Sequence, residues 1–121
     1  MRRRLALALT AMLALSASLP AFAHAFLDHA SPAVGSTVHA PPAAVRIWFT
    51  QELEPAFSTM KIVDAAGAQV ATSAAEVDAK DRTLLILTLP ALAPGRYKIF
   101  WRVLSVDTHV TDGTFSFEVA P

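Results

Sequence analysis

Residues 97–104 alternate without a break. Tyr97, Ile99, Trp101 and Val103 fall on one side, and Lys98, Phe100, Arg102 and Leu104 on the other. A period of two is the spacing of side chains along a β-strand. Wound into a helix, the same four large residues would scatter around the axis and could not share a core. Pro94-Gly95 marks where this strand begins. An apolar sheet face of that weight has to be covered by a second layer. This one segment therefore restricts the chain to layered β-structure.

The remaining sequence supplies the partner strands. Residues 45–49 alternate, and residues 57–63 alternate again with Met60 and Ile62 on one face. Residues 83–89 are a continuous apolar run between Asp81-Arg82 and Pro90, short enough to be a buried strand. Residues 114–119 place Phe115, Phe117 and Val119 inward. Shorter strands are expected at residues 26–30 and 69–71, with a turn at residues 64–67 and a loop or frayed strand over residues 73–80. About seven short strands separated by turn signals predict an all-β fold, an immunoglobulin-like Greek-key β-sandwich. Residues 92–97, Leu-Ala-Pro-Gly-Arg-Tyr, have the pattern of a tyrosine corner, in which the phenol bonds back to nearby backbone. Met60 is expected in the core, and Trp48, Phe100 and Trp101 are expected to pack.

Ahead of this domain, residues 1–23 read as a cleavable signal peptide. Arg2, Arg3 and Arg4 form a basic start, residues 5–19 an apolar stretch, and Ala21-Phe22-Ala23 a small-x-small cleavage pattern. Cutting after Ala23 leaves one domain, residues 24–121, of a size that buries roughly two-thirds of its unfolded surface. The 121-residue chain carries 10 basic and 10 acidic residues, so loss of three arginines leaves a net charge of −3. No basic stripe remains to suggest nucleic acid. Cysteine is absent, which excludes thiolate metal sites, redox pairs and disulfides. No later apolar run approaches a membrane span. The expected product is exported to a periplasm, as a monomer.

Cleavage would expose His24 as the first residue. Its α-amine and imidazole can then close a chelate ring on one metal, a donor set that suits Cu(II). Just past the long strand stands Asp107-Thr108-His109. In an extended segment residues i and i+2 project to the same face, so Asp107 and His109 could converge. Nitrogen and carboxylate donors in a tetragonal plane favour Cu(II), whereas Zn(II) prefers a tetrahedron. Spacing alone leaves a plainer reading open, that Asp107 and His109 are turn residues. His29 could reach the metal from the first strand, and His39 in its proline-rich loop is expected at the surface. Arg102 either pairs with Asp107 or stays solvated.

A set of motifs runs through the chain: His24 after the signal, Ser31-Pro32 with Gly35-Ser36, residues 48–55 (Trp-Phe-Thr-Gln-Glu-Leu-Glu-Pro), and residues 92–97. They continue with residues 101–109 (Trp-Arg-Val-Leu-Ser-Val-Asp-Thr-His) and 113–117 (Gly-Thr-Phe-Ser-Phe). In these residues the sequence resembles the CopC family of periplasmic copper-binding proteins. The resemblance implies that His24, Asp107 and His109 bind Cu(2+). It also implies a role in copper homeostasis or resistance alongside a CopD-like inner-membrane copper transporter. Two departures stand out. Family members often carry a glutamate near the Cu(II) site where this chain has Gln51, so Gln51, Glu52 and Glu54 are left without an assigned role. Some members have a methionine-rich Cu(I) loop, whereas here Met1 and Met12 lie in the signal and only Met60 follows it. A single Cu(II) site is expected.

Three function classes follow. The leading one is a carrier or buffer of Cu(II) without catalytic turnover. The second is a small histidine-brace oxygenase. Against it, a domain this small offers little flat surface for a polysaccharide, and an aspartate in the copper plane would occupy the oxygen position. The third is a metal-free immunoglobulin-like interaction module, which leaves the coincidence of His24, Asp107 and His109 unexplained.

Overall fold

The computed structural model describes residues 24–71 and 73–121. The expected signal peptide, residues 1–23, and Thr72 lie outside the described residues. Among the described residues the elements are β1 (Leu27–Ser31), β2 (Thr37–Val38), β3 (Ala44–Phe49), a 3-10 turn (Pro55–Phe57), β4 (Thr59–Val63), β5 (Glu76–Val77), β6 (Leu84–Thr88), β7 (Gly95–Leu104) and β8 (Val110–Val119). They form two four-stranded sheets in the orders β1-β3-β6-β5 and β2-β8-β7-β4. The expected β-sandwich is what the chain builds. No helix among the described residues is long and apolar enough to cross a membrane.

The alternation in β7 explains the packing. Tyr97, Ile99, Trp101 and Val103 are all buried, and so are Phe115, Phe117 and Val119 of β8. They meet Val45, Ile47 and Phe49 of β3 and Leu85 and Leu87 of β6 from the opposite sheet. Burial of these side chains from both sheets is the main force holding the layers together. Met60 is buried in the same core, directly across β4 and β7 from Trp101. The tyrosine corner is present: the Tyr97 hydroxyl donates to the Ala93 carbonyl at 2.5 Å.

Local differences from the sequence reading have physical reasons. The last strand starts at Val110 rather than residue 114, because β7 and β8 pair in unbroken register from Gly95↔Val119 to Leu104↔Val110. Residues 111–114, Thr-Asp-Gly-Thr, carry no apolar period and hid this extension. Phe57 was expected at the head of a strand, but it lies in the turn begun by Pro55 and is 67% exposed. Residues 69–71 contribute one bridge, Gln69 to Val63, rather than a strand. The segment 73–80 yields the two-residue β5. β6 alternates between buried and half-buried positions instead of being buried throughout.

Candidate metal centre

The long β7–β8 pairing ends in a hairpin turn that carries Asp107 and His109. The Thr108 amide donates to the Ser105 carbonyl at 2.9 Å, and the Ser105 amide donates to the His109 carbonyl at 3.0 Å. This is a three-residue hairpin loop whose last residue takes left-handed backbone, and Thr108 has φ 74°. Asp107 and His109 therefore converge through a tight turn, and the extended i, i+2 geometry expected from sequence does not apply. Glycine is the usual occupant of such a position, and a β-branched residue is strained there by about 1–3 kcal/mol. Thr108→Gly is expected to raise stability by about 1 kcal/mol, after allowing for the greater freedom of glycine in the unfolded chain. Thermal unfolding with a raised midpoint would bear this out, and a lowered midpoint would count against strain at Thr108.

Two threonines hold the segment bearing His24 against this turn. The Thr50 hydroxyl donates to the His24 carbonyl at 3.1 Å and accepts from the Phe26 amide at 3.0 Å. The Thr50 amide donates to the Phe26 carbonyl at 2.9 Å. From β8, the Thr111 hydroxyl donates to the Ala25 carbonyl at 2.6 Å. Ala25 is fully buried, so the chain is pinned one residue after His24. The result is that the His24 and His109 rings meet edge to face, with centroids 4.5 Å apart.

On the turn, the Ser105 hydroxyl donates to Asp107 Oδ1, and His109 Nδ1 lies 3.3 Å from the same oxygen. The Ser105 hydroxyl, and next the neighbouring His109, hold the Asp107 carboxyl below the usual carboxylate range. Asp107 is thus an anion at neutral pH, facing an end of the sandwich where two imidazoles meet.

The donor chemistry fits a metal. His24 Nδ1 is buried and has no hydrogen-bond partner among the described residues. A ring nitrogen removed from water and left unsatisfied is costly unless another atom engages it. The arrangement is nevertheless incomplete. Among the described residues no three His, Cys, Asp or Glu side chains already stand where they could hold one ion. His24 approaches His109, and Asp107 approaches His109, but one oxygen of Asp107 is engaged by Ser105.

The other candidates are placed elsewhere. His29 Nδ1 lies 2.7 Å from Asp28 Oδ2, and its ring stacks on Trp48 at 4.4 Å. His39 is exposed. Arg102 is also exposed and faces Asp112 across β7 and β8, not Asp107. Gln51 is half-buried between Thr50, which anchors His24, and Glu52, whose carbonyl accepts from the Val106 amide at 3.0 Å. Sequence reasoning gave no role to Ser105, Thr50 or Thr111. Two of these lie inside the motifs quoted for the resemblance, which was the available signal.

Comparison with known proteins agrees with this architecture. The CopC domain model matches residues 27–120. Protein YobA of Escherichia coli (strain K12) is 37% identical over 99 residues, covering 81% of this chain and 80% of that protein. Copper resistance protein C of Xanthomonas campestris pv. juglandis is 36% identical over 110 residues, covering 85% of each chain. The crystal structure of CopC from Methylosinus trichosporium OB3b superposes with a TM-score of 0.76 at 39% identity, covering 81% of this chain and 95% of that one. By its fold, its motifs and these matches, the chain belongs to the CopC family.

Proposed function

We propose that the protein, once cut after Ala23, binds one Cu(II) ion through His24, Asp107 and His109 and acts as a periplasmic copper carrier or buffer. The observation that carries this reading is the meeting of the His24 ring, with its unsatisfied buried Nδ1, and the ring of His109. Copper is cargo here and nothing is turned over. His24 would supply amine and imidazole nitrogens, His109 a third nitrogen, and Asp107 a negative oxygen. Such a set matches the N/O preference of Cu(II). The ion would be delivered to a CopD-like inner-membrane transporter by the protein acting as a monomer. Relatives named for copper resistance support copper as the metal, and membership of the CopC family supports the setting.

Copper titration followed by electron paramagnetic resonance tests the proposal. The cleaved protein is expected to take up one equivalent with a tetragonal, nitrogen-rich signal. Binding should weaken in acid, because the amine and imidazoles must shed their protons to coordinate, while Asp107 is already ionised. Failure to retain copper against a mild competitor would favour the metal-free interaction module.

A further inference from the structure

We infer that Ser105 is the positioning residue of this centre, fixing Asp107 through one oxygen so that the other faces the ion. The inference rests on the copper-binding reading above. Ser105 is fully buried. A buried hydroxyl is costly unless it is bonded, so its placement at the base of the turn needs a reason.

Its bonds supply one. The hydroxyl has a single hydrogen and two lone pairs. The hydrogen is directed to Asp107 Oδ1, with the His109 carbonyl at 3.2 Å as the more distant acceptor. The oxygen accepts from the His109 amide at 3.3 Å. Ser105 backbone groups meanwhile bond Thr108 and His109, and Ser105 bridges to Leu53 on the neighbouring segment. One residue therefore touches every member of the Asp107-Thr108-His109 triplet.

The backbone bonds alone suffice to close the turn. The bond from the hydroxyl to the carboxylate adds nothing to that closure, and what it does is restrict a side chain that is 41% exposed and has His109 Nδ1, at 3.3 Å from the same oxygen, as its other neighbour. With Oδ1 engaged, Oδ2 is the oxygen left for a cation. Alanine has nearly the same volume as serine but would release the carboxylate. Outer partners of this kind are typically worth about 10–100-fold in metal affinity.

The test uses the protein beginning at His24. Ser105→Ala is expected to bind Cu(II) about 10–100-fold more weakly in a competition titration and to change the paramagnetic resonance spectrum. In an Asp107→Ala background the same substitution is expected to cost less than about threefold, because the hydroxyl acts through that carboxylate. An unchanged affinity for Ser105→Ala, or an equal loss in both backgrounds, overturns the inference while leaving the copper reading intact. Absence of copper binding by the unmodified protein overturns both. Should Ser105→Ala not fold, nuclear magnetic resonance of the metal-free protein decides: a slowly exchanging Ser105 hydroxyl proton is expected in the unmodified chain and lost in Asp107→Ala. Its persistence in that variant overturns the inference.

Discussion

Replacing His24 with alanine is expected to weaken Cu(II) binding by more than about 100-fold, beyond the range typical of outer partners. The fold should survive, because the bonds that pin this segment go to backbone. Thr50 holds the carbonyl of residue 24 and the amide of Phe26, and Thr111 holds the carbonyl of Ala25. A chain that retains Ala23 makes a sharper comparison. It keeps the imidazole of His24 but converts the α-amine into an amide, which is a poor neutral donor. Affinity should therefore fall in the order His24-first chain, Ala23-retaining chain, His24→Ala chain. Competition against a chromogenic chelator gives the affinities, and the resonance spectrum counts the nitrogens. If the Ala23-retaining chain binds as tightly as the His24-first chain, the amine is not a ligand and the centre has to be rebuilt around other donors.

Much of this fold is legible because its longest strands obey a single rule. Strict alternation in residues 97–104 fixes which side of β7 faces the core, and the same holds for Phe115, Phe117 and Val119 in β8. The extension of β8 to Val110 was not legible, since Thr111, Asp112, Gly113 and Thr114 carry no apolar period. Their pairing is imposed by β7 through the ladder, a long-range effect that no local window contains. The candidate ligands were legible by type and motif, but their mutual geometry was not. Sequence suggested an extended Asp-x-His. The structure shows a turn with a left-handed Thr108, a conformation no residue preference would nominate for threonine. Ser105 and Thr50 were invisible as positioning groups for a similar reason. A hydroxyl's role depends on the atom it meets, and Thr50 meets His24 across 26 positions of sequence.

Gly113→Ala is expected to destabilise the protein by about 1–3 kcal/mol, the usual cost of forcing extra atoms against packed side chains. Gly113 lies directly opposite Trp101 across β7 and β8, and the indole crosses the space where a side chain would stand. A Cβ there would come within 2.7 Å of Trp101 Cε2 and 3.1 Å of Nε1, and closer still to Cζ2. The indole is held by its neighbours, with a groove lined by Met60, Trp101 and Gly113 open beside it. The indole is buried, its ring packs edge to face on Phe49 at 5.1 Å, and Met60 sits across from it on β4. Either the indole shifts or the backbone of β8 gives, a few residues from the turn that carries Asp107 and His109. For a domain of this size the thermal midpoint should drop by about 5–20 °C. Combining Gly113→Ala with Trp101→Phe should cost less than the sum of the two single changes, because the smaller ring vacates the contested space. Strict additivity would show that the clash is not with Trp101. A neutral Gly113→Ala would show that the indole or the sheet yields easily at this point. The pairing of the tryptophan in the Trp-Arg motif with the glycine of Gly-Thr-Phe-Ser-Phe is thus a packing relation: a large ring on one strand requires an empty Cα on the next.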